Sequence, residues 1–286
     1  MFAIIDVGSN SVRLMLHDGV KTLSKKVQTT RLAEGIAKTN MLTPEAVERT
    51  ARAVSFFISE AKSLGIKNPL VFATAAVRQA NNGKDFTDKV FDLTGINVDV
   101  VSGELEAMLG INGALDGGDG GVIDIGGAST ELIVKDKGEV VYSKSIKLGA
   151  VRAKDATGQD KDTAVEFISS KINEFSSIPT NTTYYAIGGT ATTIASMLQE
   201  LEPYDPTKTD GYKIYKNDVK SLLEKLFSMS VSERAKLKGL QHGREEIIAH
   251  GVTILYEIMD KFSIDYVITS EKDNLEGYLY YKKVSL

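Results

Sequence analysis

Gly121-Val122-Ile123-Asp124-Ile125-Gly126-Gly127-Ala128-Ser129-Thr130-Glu131-Leu132-Ile133-Val134 is a stretch with two apolar runs on either side of a short turn of small residues. The first run is typical of a buried strand that ends on Asp124, and the second is typical of its hairpin partner. The two glycines of the turn have no Cβ, so backbone N–H groups can approach a ligand closely. The serine and threonine that follow add hydroxyl donors. This combination favours a phosphate group as the ligand.

The same pattern occurs near the N-terminus, in Ile5-Asp6-Val7-Gly8-Ser9-Asn10-Ser11-Val12-Arg13-Leu14. This segment aligns without a gap with residues 123–132, and the separation is 118 residues (124 − 6) throughout. Asp6 corresponds to Asp124, and each is followed two residues later by a glycine. The separation is too long for a solenoid repeat. We therefore predict two domains of similar topology, each with an aspartate and a phosphate-binding turn at a shared cleft.

The composition excludes several classes of protein. The chain has 286 residues, of which 42% are hydrophobic and 25% charged, and this length is enough for two packed cores. A net charge of −4 argues against a protein held to nucleic acid by backbone charge. The absence of cysteine excludes disulfides and thiolate metal sites. No apolar run approaches the roughly 20 residues that span a bilayer. We expect no signal peptide before the first strand. We expect a cytoplasmic protein with no nucleic-acid or membrane partner.

The order of predicted elements is that of an α/β protein. Apolar alternation and short apolar runs predict strands at 2–7, 12–17, 20–29, 70–73, 97–101, 121–125, 130–135, 139–146, 183–187 and 264–269. Helical periodicity and capping residues predict helices at 44–64, 85–93, 103–115, 163–175, 190–201, 217–227, 232–238, 244–262 and 274–282. The predicted domains are 1–116 and 117–286, with the last helix able to pack back on the first domain.

Two acidic residues begin the helix that Ser102 is expected to cap. Glu104 and Glu106 are two residues apart, so they lie on different sides of the helix. One of them can therefore face the cleft while the other faces solvent. The alternative is that both are first-turn acids favoured by the helix dipole. For Asp6, likewise, the alternative to a functional carboxylate is a residue that caps a turn.

Six motifs together resemble the exopolyphosphatase and guanosine pentaphosphate phosphohydrolase family, within the actin-like ATPase and sugar-kinase superfamily. The motifs are Ile5 to Arg13, Ala73 to Ala80, Ser102-Gly103 with Glu106-Ala107, Val122 to Glu131, Leu148 to Arg152, and Ile187 to Thr193. The resemblance covers nearly the whole chain. It implies two ribonuclease-H-like domains around a central cleft, dependence on Mg²⁺, and hydrolysis of a terminal phosphoanhydride.

The resemblance assigns roles to particular residues. The catalytic glutamate of the family falls on Glu106, and the aspartate of its phosphate loop falls on Asp124. The sequence departs from the family pattern at Leu105, where another acid is usual, and at Ala128, which replaces a third glycine. It also departs at Leu275, which stands where the family has an arginine. The role of that arginine is therefore not carried over to this chain.

The predicted site contains phosphate-binding residues from three turns and three arginines. They are Gly8, Ser9, Asn10, Ser11, Arg13, Arg78, Gly126, Gly127, Ala128, Ser129, Thr130, Gly188, Gly189, Thr190 and Arg244. The Gly-Gly-Thr turn also fits a tight strand-to-helix junction with no ligand. Asp6, Asp124 and Glu131 are the predicted Mg²⁺ ligands. Glu106 is the predicted base that activates a water molecule for direct attack on the phosphorus, since the sequence shows no cysteine or histidine nucleophile.

Three functions fit these residues. The first is an exopolyphosphatase acting on polyphosphate, with guanosine pentaphosphate as the alternative substrate. We expect short polyphosphate chains, because the extra C-terminal helical domain of long family members is absent from this sequence. The second is a kinase, although no sequence feature indicates an acceptor site. The third is a non-catalytic protein that binds a phosphorylated alarmone. A homodimer remains open.

Overall fold

The computed structural model describes residues 1–179 and 181–284, which form two sheets with helices packed on them. The first sheet has five strands: β1 (Phe2–Val7), β2 (Ser11–His17), β3 (Thr22–Thr29), β4 (Leu70–Ala73) and β5 (Asp99–Val100). The second has six strands: β6 (Gly120–Ile125), β7 (Thr130–Asp136), β8 (Glu139–Ile146), β9 (Tyr184–Ile187), β10 (Lys213–Tyr215) and β11 (Tyr266–Thr269). The spatial orders are β3-β2-β1-β4-β5 and β10-β11-β9-β6-β7-β8.

The two sheets share one topology. Each begins with an antiparallel meander of three strands, β1-β2-β3 or β6-β7-β8. A later strand then pairs in parallel with the first strand of the meander, β4 with β1 and β9 with β6. Asp6 is paired in register with Arg13, and Asp124 with Glu131. The repeat in the sequence is therefore a repeat in the fold, and the prediction of an α/β protein with two similar sheets is confirmed.

Helices cover the sheets and join them. The helices before the second sheet are α1 (Ile36–Thr39), α2 (Pro44–Ser63), α3 (Ala75–Gln79), α4 (Gly83–Thr94) and α5 (Gly103–Leu115). The later ones are α6 (Ala150–Thr157), α7 (Lys161–Ile172), α8 (Gly188–Leu198), α9 (Pro206–Thr209), α10 (Lys216–Phe227), α11 (Val231–Arg234), α12 (Ile248–Lys261) and α13 (Asn274–Val284). None of the helices in the part of the chain described combines the length and apolarity needed to cross a bilayer.

Helix α5 lies between the two sheets and positions one of the predicted catalytic residues. Leu109 of α5 packs in one apolar cluster with Ile4 of β1 and Leu279 of α13. Ile111 of α5 packs in another cluster with Val122 of β6. The last helix therefore packs against the first sheet although it follows the second sheet in the chain. The domain boundary at residue 116 remains a prediction.

Two predicted helices are shorter in the structure, and strand β10 was not predicted. The helix expected at 244–262 begins only at Ile248, so Arg244 lies in the turn before α12. The helix expected at 232–238 is limited to Val231–Arg234. Strand β10 was not predicted, because Ile214 is its only buried residue and three residues are too few to show alternation.

Candidate active site

The two turns that follow β1 and β6 face each other across the cleft. The Gly8 N–H donates to the Ser11 carbonyl at 3.0 Å, and the Gly126 N–H donates to the Ser129 carbonyl at 3.0 Å. A Cβ added at Gly127 would lie 2.5 Å from the Cβ of Ser9, so a side chain at that position would collide with the opposite turn. Glycine is required there because the turns approach so closely.

Each turn leaves two consecutive backbone donors unused. The amides of Ser9, Asn10, Gly127 and Ala128 have no hydrogen-bond partner in the described residues. The side-chain Nδ2 of Asn10 is also buried without a partner there. Buried polar groups are normally paired, so unpaired donors of this kind indicate a site for an acceptor-rich ligand. Gly8 and Gly126 serve a different purpose, since their amides close the turns.

A cavity of about 90 Å³ lies between the turns. Most of the residues predicted for the site line it, namely Asp6, Gly8, Ser9, Asn10, Ser11, Arg13, Glu106, Asp124, Gly126, Gly127, Ser129, Gly188, Gly189, Thr190 and Arg244. Thr74, Ala75, Ile125, Ala150, Ile247 and Asn274 complete the lining. We call this the inner cavity.

The inner cavity contains two buried carboxylates, Asp6 and Glu106, and the half-buried Asp124, and each is held by a different partner. The Glu106 Oε2 accepts a hydrogen bond from Nη1 of Arg78 at 2.7 Å. The Asp124 Oδ2 accepts from Nδ2 of Asn274 at 3.0 Å. The Asp6 Oδ2 accepts from Nε of Arg13 at 2.9 Å. Asp6 is therefore fixed by its neighbour on the paired strand, whereas Glu106 and Asp124 are fixed by residues that lie further along the chain.

Glu106 rather than Glu104 faces the cleft. The side chain of Ser102 caps α5 by accepting a hydrogen bond from the Leu105 amide at 3.1 Å, which sets the start of the helix. Glu104 then lies on the exposed side, whereas Glu106 is 6% exposed and reaches the inner cavity. The reading of both residues as plain first-turn acids therefore does not hold for Glu106.

The carboxylates raise one another's pKa. Burial raises the pKa of Asp124 to about 8, and the negative charges of Glu106 and Asp273 add to this effect. Burial also raises the pKa of Glu106, although the Arg78 guanidinium opposes the shift. A phosphate would bring further negative charge into the same space. These acids are ionised together only with positive charge close by.

The donor set fits a magnesium ion that takes its remaining ligands from water and substrate. No three Asp, Glu, His or Cys side chains in residues 1–179 and 181–284 are grouped closely enough to hold a metal alone. Mg²⁺ in phosphate sites is typically held by one or two carboxylates together with waters and phosphate oxygens. Asp6 Oδ1 is buried without a hydrogen-bond partner among the described residues, and Asp124 lines the same cavity. These two carboxylates fit such a site.

Two arginines lie where the inner cavity joins a larger one. Arg13 and Arg244 line both the inner cavity and an adjoining space of about 710 Å³, which we call the outer cavity. Arg244 has no carboxylate within ion-pair distance in the described part of the chain, and its Nε donates to Gln241 at 3.1 Å. Burial and the charge of Arg13 lower the pKa of Arg244 to about 10. A buried, unneutralised guanidinium favours an anion at this passage.

Four predicted site residues do not line the inner cavity. Arg78 lies behind Glu106 and holds it. Ala128 is fully buried, and the hydroxyl of Thr130 donates to the Leu148 carbonyl, so these two residues shape the second turn from inside. Glu131 accepts a hydrogen bond from Ser145 Oγ at 2.6 Å. Its role as a metal ligand remains a prediction.

Sequence reasoning missed two contributors from the start of α13. Asn274 binds Asp124, and the Asp273 carboxylate pairs with the Arg13 guanidinium. Both residues directly precede Leu275, where the sequence departs from the family pattern. That departure is the one signal in this segment, and it does not indicate which strands the segment contacts.

Comparison with known proteins gives consistent results. The model of the Ppx/GppA phosphatase family matches residues 11–285. The bifunctional 3-dehydroquinate synthase/phosphatase of Fusobacterium nucleatum is 29% identical over 96% of this chain, which spans 45% of that protein. Exopolyphosphatase 2 of Mycobacterium tuberculosis is 27% identical over 96% of both chains.

Two further similarities extend the comparison. The guanosine-5'-triphosphate,3'-diphosphate pyrophosphatase of Aliivibrio fischeri is 28% identical over 98% of this chain and 59% of its own length. A solved exopolyphosphatase-like protein superposes with a TM-score of 0.92 at 26% identity, covering 100% of this chain and 99% of that one. The family match extends over nearly the whole chain and includes all of the turn that follows β6. The chain belongs to the Ppx/GppA phosphatase family.

Proposed function

We propose that this protein is an exopolyphosphatase, a Mg²⁺-dependent hydrolase that releases the terminal phosphate of inorganic polyphosphate. The observation that carries the proposal is the pair of facing turns, whose free amides surround a small cavity next to a buried glutamate. Support also comes from the match, over 96% of both chains, with a relative named exopolyphosphatase 2.

The inner cavity suits one phosphoryl group. The free amides of Ser9, Asn10 and Gly127 would donate to its oxygens from both sides, and the Ser11 and Ser129 hydroxyls lie in the same wall. Donors fixed before the reaction need no reorganisation as charge develops in the transition state. Mg²⁺, held by Asp6 and Asp124, would offset the charge on the phosphate oxygens.

Glu106 would act as the general base. Its carboxylate is buried in the inner cavity, and Arg78 fixes its orientation through the 2.7 Å hydrogen bond. The raised pKa makes it a stronger base than an exposed glutamate. Water activated by Glu106 would attack the phosphorus directly, and the shortened polyphosphate would leave toward the outer cavity past Arg13 and Arg244.

A second substrate, guanosine pentaphosphate, is favoured by the charge of the outer cavity. The lysines that line it are already paired with carboxylates, Lys25 with Glu276, Lys26 with Glu60 and Lys272 with Asp116. A long polyphosphate chain needs free cations along its path, and this wall offers few. The phenol ring of Tyr204, in the same wall, could contact a base.

Direct comparison of the two substrates tests the proposal. We would measure kcat/KM for tripolyphosphate and for guanosine pentaphosphate at the same Mg²⁺ and salt concentrations, by phosphate release without a second substrate. The proposal expects release from both and a higher kcat/KM for the short polyphosphate. A clear preference for the nucleotide would transfer the function to the second candidate. Loss of the terminal phosphate only when an acceptor is present, with phosphorylation of that acceptor and no free phosphate, would indicate a kinase.

A further inference from the structure

The start of helix α13 contacts Arg13, Asp124 and the helix that carries Glu106. We refer to residues 273–277 as the α13 start. This segment lies at the end of the chain, yet it touches β2, β6 and α5.

Asp273 acts on the first aspartate through Arg13. The Arg13 guanidinium donates through Nε and Nη2 to Asp6 and through Nη1 to Asp273, so the arginine is held between the two carboxylates. Asp273 is 5% exposed, and its Oδ1 accepts from the Leu275 amide at 3.0 Å. The capping bond fixes the Asp273 side chain, and Asp273 in turn fixes Arg13 against Asp6.

Asn274 acts on the second aspartate directly. Its Nδ2 donates to Asp124 Oδ2 at 3.0 Å, across 150 residues of sequence. Asn274 is 4% exposed, and the bond is one of the attractive contacts that oppose the raised pKa of Asp124. The side chain therefore orients Asp124 toward the inner cavity while the other carboxylate oxygen stays available.

The third contact is with the helix that carries Glu106. A Cβ added at Gly277 would lie 2.0 Å from the Leu109 carbonyl oxygen, and one at Gly113 would lie 2.1 Å from the Asp273 carbonyl oxygen. Helices α5 and α13 therefore cross with their backbones in contact. Because interiors are close-packed, a shift of the α13 start would displace α5 and its glutamate.

We propose that Asp273 and Asn274 are positioning residues that hold the two cleft aspartates in their working geometry. Asp273 does so through Arg13, and Asn274 does so by binding Asp124. The expected change in kcat rests on the proposed function, whereas the expected change in hydrogen exchange of the two turns does not. Neither residue needs to contact the substrate for this role.

Two variants and one matched control test the proposal. Asp273→Asn keeps a side-chain oxygen for the Leu275 amide but loses the ion pair with Arg13. Asn274→Leu removes the amide that donates to Asp124 and keeps the same number of side-chain heavy atoms. Tyr278→Phe is the control on the same helix, because it removes the hydrogen bond from the Tyr278 hydroxyl to Asp99 Oδ2 at 2.8 Å, contacts neither cleft aspartate and lies outside both cavities.

The first measurement is hydrogen–deuterium exchange of the two turns, which requires no activity. We expect faster exchange in peptides covering residues 5–14 for Asp273→Asn and residues 121–132 for Asn274→Leu. We expect no change in either peptide for Tyr278→Phe. Wild-type exchange in both turns of both variants would overturn the proposal, and so would equal acceleration in the control.

The second measurement is steady-state hydrolysis of tripolyphosphate. Loss of a supporting contact around a site typically costs about 10–100-fold in activity, and we expect that loss in kcat with KM within about threefold. The control should keep kcat within about threefold. Wild-type kcat in Asp273→Asn and Asn274→Leu would reject the positioning role while leaving the proposed function intact. A wild-type protein that releases no phosphate would reject the proposed function, and the exchange experiment would still decide the positioning role.

Discussion

Glu106 combines burial, a fixed orientation and access to the inner cavity. Glu106→Gln keeps the shape and the contact with Arg78 but removes the basic oxygen. General-base catalysis is worth roughly 10²–10⁴-fold, so kcat for phosphate release should fall by that amount with an unchanged circular dichroism spectrum. The matched control is Glu104→Gln, on the exposed side of the same helical turn, which should change kcat little. Near-normal hydrolysis by Glu106→Gln would refute the assignment.

A second residue-scale prediction concerns stability. His250 is fully buried in α12, its Nδ1 has no hydrogen-bond partner in the described residues, and Arg234 lies nearby. Burial and the charge of Arg234 lower the pKa of His250 to about 4, from 6.5. The unfolded chain therefore takes up this proton more readily than the folded one, and the contribution to stability is present above pH 6.5 and lost as the pH falls toward 4.

The size of this effect follows from the shift. His250 should account for about 3 kcal/mol of the unfolding free energy lost between pH 6.5 and 4. Urea unfolding at several pH values would show it as a shallower pH dependence in His250→Leu than in the wild type. His242 is exposed, so His242→Gln should keep the wild-type slope. Equal slopes in wild type and His250→Leu would contradict the prediction.

At the scale of elements, the crossing of α5 and α13 determines where Glu106 lies. Gly277→Ala would place a methyl group 2.0 Å from the Leu109 carbonyl oxygen, which is backbone and cannot turn aside. Overpacking of this kind typically costs about 1–3 kcal/mol. We expect a loss of that size in the free energy of unfolding by urea, with a lower kcat as α5 moves.

A glycine at the start of α5 provides the control. An alanine Cβ at Gly103 would meet Ser145 Cβ at 3.4 Å, which is an ordinary contact, and the backbone there is not left-handed. Gly103→Ala should therefore be neutral or slightly stabilising. If Gly277→Ala is as stable as the wild type, the helices can separate freely and the close crossing does not constrain Glu106.

For the whole molecule, the main electrostatic feature is the collection of acids where the two sheets meet. Asp6, Glu106 and Glu131 are buried and Asp124 is half-buried, and desolvation raises the pKa of each. A phosphate substrate adds negative charge, so a divalent cation should be required. Activity on tripolyphosphate should disappear in excess EDTA and return with added Mg²⁺. Undiminished activity after removal of bound metal would reject the metal requirement.

The repeat, the hairpins and the capped helices followed from local rules. Asp6 and Asp124 end apolar strands, and the hydrophobic alternation of the meanders depends only on neighbouring residues. Ser102 set the start of α5 as its cap. Local rules left open which of Glu104 and Glu106 faces the cleft, and the resemblance to the family assigned Glu106. The residues of the turns therefore predicted phosphate sites, and their duplication indicated a shared cleft.

Folding in three dimensions decided which of these residues meet. Arg13 and Asp273 are 260 residues apart, and Asp124 and Asn274 are 150 apart. No periodicity or capping rule connects positions at such separations. Thr130 was read as a ligand donor from its place in the turn, yet its hydroxyl binds the Leu148 carbonyl. The chain by itself determined the two turns of small residues after β1 and β6 and the capped start of α5. Their mutual geometry depended on the packing of α13 against α5, because only close packing brings distant backbones and side chains within hydrogen-bond range.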